Sequence, residues 1–237
     1  MPEKDLLSFV DTTTNAPISV AVDLLVFTIE DGALKLLMIR RQYPPFAGMW
    51  ALPGVFVRHD ETLDDAAARG ILEETGLHDI YFEQLYTWGA VNRDPRRRII
   101  SVSYLALVPL SQIRNYAVGQ RTTDVKLADV KELLAADDIA FDHQEIIRYA
   151  KWRLANKVEY TKIAFHLLPE EFTLPELQKI YEILLDKPLY KANFRKKISD
   201  LVQETDRYTS GDAHRPSQYY RLRESISSEH DKFETST

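Results

Sequence analysis

Residues 54–77 read GVFVRHDETLDDAAARGILEETGL, and no other stretch restricts the fold as much. Thr62 and Asp65 have the spacing of a capping box, and Gly76 stands where a helix passes into left-handed backbone. The spacing therefore predicts a helix over 63–75. Positions 70, 73 and 74 share one face of it. Three carboxylates there would hold a hard divalent cation such as Mg2+ through oxygen ligands, and such an ion bridges a diphosphate and activates water. The chain supplies Glu73 and Glu74, but residue 70 is glycine. Glycine offers no ligand and lowers helix stability by about 1 kcal/mol relative to alanine. A glutamate at 70 is accordingly expected to strengthen the helix.

The stretch resembles the box of the Nudix hydrolases, in which Gly, five residues, Glu, seven residues, Arg-Glu, an aliphatic residue, any residue, Glu-Glu, any residue and Gly follow in order. Glu61, Arg69, Ile71, Glu73, Glu74, Gly76 and Leu77 match at the right spacings. Two positions depart: Val55 replaces the first glycine, although Gly54 precedes it, and Gly70 replaces the glutamate that is a metal ligand in the family. The resemblance leaves Glu61, Arg69, Glu73 and Glu74 as residual catalytic positions, with Glu73 and Glu74 as the metal ligands. Read without the family, Arg69 and Glu73 are an i,i+4 ion pair and Glu61 ties down the preceding loop. The loss at position 70 turns the reading away from a working hydrolase. No cofactor is expected to be required, Mg2+ being the one candidate.

Strand texture surrounds this helix. ISVAVDLLVFTI, the turn EDG and ALKLLMIRR read as a hairpin, and DIYFEQLYTWGAV and IISVSYLALV as further strands. AFDHQEIIRYAKWRLANK reads as a helix with Asp142 as N-cap, Glu145 as its capping-box partner and an apolar stripe of Ile146, Ile147, Ala150 and Leu154. Beyond Tyr160 the texture changes. TLPELQKIYEILLDK is an amphipathic helix capped by Thr173, with Pro175 in its first turn and Pro188 closing it. YKANFRKKISDLVQ is a second helix, and a Gly- and Pro-containing turn between short strand-like pieces follows. Helix, turn, helix and hairpin is the order of a winged helix. The expected fold class is α/β (α+β), a mixed-sheet α/β/α sandwich followed by a winged helix-turn-helix domain. The segments are 1–16, an N-terminal arm; 17–141, the sandwich; 142–159, a linker helix; 160–224, the winged helix; and 225–237, a disordered tail.

Composition limits the setting. The net charge is −6, which opposes a general nucleic-acid binder, yet Lys187 to Arg223 holds nine Lys/Arg against four Asp/Glu. No cysteine is present, which removes disulfides and thiolate metal sites. No apolar run is long enough to span a membrane, and the N-terminus lacks the form of a secretory signal. The expectation is a cytoplasmic protein with no membrane partner.

At 100° per residue the helix beginning at Tyr190 turns Phe194, Ile198 and Leu201 inward. Ala192, Asn193, Lys196 and Ser199 face outward, with Lys191, Arg195 and Lys197 on the flanks. A central strip for base edges between flanking cations suits a recognition helix, and Arg215 in the hairpin adds a phosphate contact. IAFHLLPEEFTLPELQKIYEILLDKPLYKANFRKKI and HRPSQYYRL resemble the C-terminal domain of the Nudix-related transcriptional regulators. That resemblance, over about 17–223, implies a sensor domain joined to a winged helix, acting as a homodimer on double-stranded operator DNA. It also implies a small-molecule effector, an ADP-ribose-like nucleotide or a small sugar, and a repressor's role within NAD or sugar metabolism. The competing reading is an active pyrophosphatase that uses Mg2+ on ADP-ribose or a related nucleoside diphosphate sugar. For the effector, Arg40 and Arg41 at a strand end and Arg93 and Asp94 in NRDPRRR are the candidate contacts, arginine suiting diphosphate and aspartate a ribose hydroxyl. NRDP reads equally as a plain turn. Trp50, Tyr86 and Trp88 are expected in the core rather than against a base.

Overall fold

β1 (Ser19–Glu30) and β2 (Ala33–Arg41) form the expected hairpin. Asp31 and Gly32 join them with φ of 50° and 73°, the doubly left-handed turn that matches the twist of paired strands. The structure is a computed structural model that describes residues 17–113, 122–210 and 216–223. The expected N-terminal arm, Arg215 and the tail lie outside the described residues.

After the hairpin come β3 (Trp50–Ala51), β4 (Gly54–Phe56), α1 (Leu63–Thr75), β5 (Tyr81–Trp88), β6 (Ile99–Leu107), α2 (Leu110–Ile113), β7 (Thr122–Asp129), α3 (Val130–Ala135) and α4 (His143–Lys157). The sheet runs β3-β2-β1-β6-β5, with β4 also paired to β1 and β7 to β2. Among the described strand pairs β1 and β6 run parallel and the others antiparallel, so the sheet is mixed. β1 is its spine. Leu25 and Phe27 pack toward α4, while Val22, Leu24 and Val26 pack toward Ala66, Ala67 and Ile71 of α1. A strand covered on both faces reads as one long apolar run. The run has one interruption, Asp23, which is 7% exposed.

α1 has the expected ends. Thr62 Oγ1 accepts from the Asp65 amide at 3.1 Å, the Asp65 carboxylate accepts from the Thr62 amide at 3.0 Å, and Gly76 closes the helix at φ 70°. α4 buries its expected stripe, but the expected capping box at its start is not formed. Asp142 gives its carboxylate to Arg93 instead, because a buried guanidinium needs an anion more than a helix end does.

The C-terminal module begins with a 3₁₀ turn (Ile163–Leu167), followed by β8 (Phe172–Thr173), α5 (Leu174–Leu185), α6 (Lys191–Ile198), β9 (Val202–Tyr208) and β10 (Gln218–Leu222). Its small sheet is ordered β8-β10-β9, so β8 adds a strand that two residues of sequence do not announce. Thr173 and Glu176 form a reciprocal capping box at α5, which ends in left-handed Asp186 ahead of Pro188. α6 is shorter than its texture suggests. It ends at Ile198, and Val202 enters β9 paired with Leu222. The β10 ladder satisfies the backbone of this segment, and tertiary pairing overrides the local preference. Phe194 and Ile198 are buried as expected, whereas Leu201 is half-buried in the turn.

The two modules share one core. The α4 face of the sheet continues through Phe165, Leu177, Ile180 and Tyr181 to Phe194 and Ile198. Asp186 also reaches across to Lys131 of α3 at 2.8 Å and Lys151 of α4 at 3.4 Å. Among the described residues no helix is long and apolar enough to cross a membrane.

Candidate functional site

α1, the β4 segment, the end of β2, the loop between β5 and β6 and the first turn of α4 enclose a cleft of about 990 Å³. On the box side Arg69 is the organising residue. It holds Glu61 through two parallel bonds, Nη2 to Oε1 at 2.6 Å and Nε to Oε2 at 3.0 Å. It also donates to the Phe56 carbonyl at 3.0 Å and to Glu73 at 3.4 Å. Glu61 accepts in addition from the Arg58 amide at 2.8 Å. The hydrogen bond from Arg69 is the main reason that the Glu61 carboxyl is held down at about 2. Glu74 differs: burial and then the neighbouring Glu73 charge push its carboxyl upward, and its Oε2 is buried without a hydrogen-bond partner.

The back of the cleft is a buried ion network. Arg93 donates to both oxygens of Asp142, at 2.8 and 2.7 Å, and to Asp23 at 3.2 Å. Ser101 donates to the same Asp23 oxygen at 2.5 Å. His143 Nε2 lies 3.8 Å from the other oxygen, and His143 Nδ1 accepts from the Leu52 amide at 2.9 Å. Burial opposes the Arg93 charge, but the bond to Asp142 and the charges of Asp23 and Asp142 outweigh it and raise its pKa. Burial drives the His143 pKa down, against the pull of Asp23 and Asp142. Gly54 is required beside this network. A Cβ there would come within 2.9 Å of both Asp23 Oδ1 and the Val22 carbonyl.

The candidate effector contacts separate. Arg93 and Asp94 both line the cleft, and Asp94 also holds the turn that the sequence signals, accepting from the Arg96 amide at 3.0 Å. Asp94 accepts from Arg96 Nε at 3.0 Å and Nη2 at 2.7 Å, so it orients that guanidinium. Arg41 reaches the cleft, donates to the Pro45 carbonyl at 2.8 Å and lies 4.7 Å from the Phe141 ring centre. Arg96 lies over the same ring at 5.8 Å. Arg41 makes no ion pair with any described carboxylate, and burial followed by the Arg96 charge lowers its pKa. Two guanidiniums on one ring, the inner one without an ion pair among the described residues and only partly offset by the Asp94 charge, form a place for an anion. Arg40 points elsewhere: alternation along β2 turns it out of the cleft, where it donates to the Gly48 carbonyl at 2.9 Å and stacks near Trp50. Trp50 is buried as expected. Tyr86 is not in the core. It is 49% exposed and forms, with Trp88, Tyr149 and Trp152, an aromatic groove outside the cleft. β5 is an edge strand, and at Tyr86 and Trp88 it is partly covered by Tyr149 of α4.

Gly70 is buried, and glutamate there would not strengthen the helix as expected. A gain of about 1 kcal/mol in propensity meets an overpacking cost of about 1–3 kcal/mol against Leu24 and Val55.

A second candidate surface is α6. Lys191, Asn193, Arg195, Lys196 and Lys197 are all exposed on it. Tyr181 and Phe194 meet edge to face at 5.2 Å beneath the helix, and Lys197 Nζ lies 5.4 Å from the Tyr181 ring. The arginines of the hairpin are engaged differently. Glu171 accepts from both Arg207 and Arg221, which ties the hairpin to the chain ahead of α5.

Sequence reasoning missed Asp23, His143 and the true partner of Asp142. One signal was available: an aspartate inside VAVDLLVF, which a buried strand tolerates only with a cation nearby.

A family model for the NUDIX domain matches residues 18–150, and one for the NrtR DNA-binding winged helix domain matches 164–222. The "ADPR responsive transcriptional repressor NtrR" of Acinetobacter baylyi is 38% identical over 205 residues, which cover 85% of this chain and 80% of that protein. Among solved structures, Shewanella oneidensis NrtR complexed with a 27mer DNA is 35% identical with a TM-score of 0.76, over 86% of this chain and 93% of that one. The NUDIX domain of the same protein complexed with ADP ribose is 33% identical with a TM-score of 0.56, over 65% of this chain and 99% of that one.

Proposed function

The chain belongs to the Nudix-domain transcriptional regulators of the NrtR type, and from that premise we propose that it is an ADP-ribose-responsive repressor whose cleft controls a winged helix on operator DNA. One observation carries the reading: the start of α4 is both a wall of the cleft, through His143 and through the lining Arg93 that Asp142 holds, and the beginning of the helix that leads to the DNA-binding module. We take 17–141 as the sensor, 142–159 as the linker helix and 160–224 as the DNA-binding module.

Arg41 and Arg96 receive the diphosphate, with Asp94 orienting Arg96. Arg93 is the relay. Asp142 sits at the N-cap of α4 without capping it, because Arg93 holds its carboxylate. An anion that draws Arg93 forward frees Asp142 to cap α4, so the helix start has two discrete arrangements that a ligand can bias. The shared core and the Asp186 contacts carry that bias to α6. There Asn193 and Lys196 read base edges, and Lys191, Arg195 and Lys197 hold phosphates. Arg215 is assigned to phosphate from sequence alone. Catalysis is no part of the proposal, since Arg69 engages Glu61 and Glu73, and no metal cofactor is required.

The repressor works in the cytoplasm as a homodimer, because a winged helix reads one half-site and a palindromic operator needs two. The aromatic groove of β5 and α4 suits the second copy. It is an exposed apolar patch flanked by Glu145 and Arg148, and a two-fold axis passing between them would set each against the other's counterpart.

Calorimetric titration with ADP-ribose tests the cleft. Arg41→Ala is expected to weaken binding about ten-fold or more, the range for a lost charge-assisted hydrogen bond. Arg40→Ala should bind within two-fold of the parent protein. Equal affinity for Arg41→Ala and the parent would remove the anion site.

A further inference from the structure

The two departures from the Nudix box touch each other. A Cβ built on Gly70 comes within 2.9 Å of Leu24 Cδ1 and within 3.1 and 3.3 Å of the two Val55 methyls. Leu24 is fully buried, and Val55 is β-branched with a stiff χ1, so neither yields readily. A side chain at 70 needs volume that Leu24 and Val55 occupy together, and a glycine at 55 would clear only the valine side of it. Val55 crowds any side chain at 70, and a small residue at 55 removes that part of the obstruction while Leu24 remains.

The surrounding carboxylates do not fit a divalent cation. Both Glu61 oxygens accept from Arg69, and one also accepts from the Arg58 amide. Glu73 faces Arg69 at 3.4 Å and Arg58 at 3.9 Å. Among the described residues no group of three or more His, Asp or Glu is placed to hold a metal ion. Glu74 alone faces the cleft without a partner. Where a metal would neutralise a diphosphate, the walls carry Arg41, Arg58 and Arg96.

We infer that Val55 and Gly70 form a steric interlock that closes the metal position of the box, so that the cleft takes its anion on arginines alone and metal binding returns only when both positions change together. The interlock stands on geometry; its consequence for the effector rests on the ADP-ribose reading above.

The test is a double-substitution cycle on the full chain with Mn2+ as probe, following thermal stability and the Mn2+ electron paramagnetic resonance signal. Gly70→Glu alone is expected to melt lower than the parent and to bind Mn2+ no better. Val55→Gly with Gly70→Glu should recover part of the lost melting temperature, Leu24 remaining in place, and bind Mn2+ at least ten-fold more tightly than either single variant. A Gly70→Glu protein as stable as the parent, or a double variant that gains no Mn2+ affinity, overturns the inference. Should Gly70→Glu fail to fold, Gly70→Ala with and without Val55→Gly reads the same contact through stability. Rescue by the second substitution supports the interlock, and additive losses refute it. The effector arm is separate. ADP-ribose binding to the parent protein should stay within two-fold when EDTA is added, and a ten-fold loss overturns metal-free recognition. Absence of ADP-ribose binding with or without Mg2+ would instead strike the proposed effector, leaving the cycle to decide the interlock.

Discussion

Replacing Arg93 by alanine is expected to lower the unfolding free energy by about 3–5 kcal/mol, the range for removing one partner of a buried ion pair. The side chain is 5% exposed and stands between Asp142 at 16% and Asp23 at 10%. Without it, two largely enclosed carboxylates and a buried histidine lose the one guanidinium they share. Arg93→Lys keeps the charge but loses the two parallel bonds to Asp142, so it should fall between alanine and the parent protein. Urea unfolding at neutral pH measures both. A loss below about 1 kcal/mol for the alanine variant would place Arg93 among surface pairs, whose worth is of that order, and would remove it as a relay between cleft and helix.

The second large effect belongs to α6. Lys196→Ala and Asn193→Ala should each reduce discrimination at one or two operator positions by about 1–3 kcal/mol, while altering non-specific binding less. Lys191→Ala, Arg195→Ala and Lys197→Ala should weaken binding to every sequence and flatten the salt dependence by about one unit per lost phosphate contact. The exposure of all five residues and the burial of Phe194 and Ile198 on the opposite side give the helix one surface to offer. Arg207 and Arg221, held by Glu171, should matter less than Lys196. Binding measured on an operator and its point variants at several salt concentrations separates the classes. A uniform loss across all five substitutions, with sequence preference intact, would take α6 out of the major groove.

What could be read in the sequence was what neighbours in the chain decide. The caps of α1 and α5, the Asp31-Gly32 turn, the stripe of α4 and the inward pair Phe194 and Ile198 all follow from spacings of a few residues. The illegible features join distant positions. Arg93 meets Asp142 and Asp23 across separations of 49 and 70 residues, and nothing local marks those partnerships. Asp142 looked like a helix cap because its immediate sequence is that of a cap. The long-range bond won because a buried charge demands more than a helix end does. α6 looked longer because LVQ is compatible with helix, and only β10 draws Val202 into a strand. Arg40 and Arg41 are adjacent, so alternation along the strand sends just one of them to the cleft. Position 70 is the clearest case. The missing carboxylate was plain, but that Leu24 and Val55 crowd its place required the packing of β1 and β4 against α1.

The most direct test of the regulatory claim is the affinity for labelled operator, measured with and without saturating ADP-ribose. Coupling between sites is typically about 1–3 kcal/mol, so operator affinity should fall about five-fold to a hundred-fold, and operator should weaken ADP-ribose binding by the same factor. Arg93→Lys, which loosens the hold on Asp142, should shrink that factor while leaving both ligands able to bind. ADP-ribose that binds the cleft and leaves operator affinity unchanged would contradict the claim that the cleft governs the winged helix.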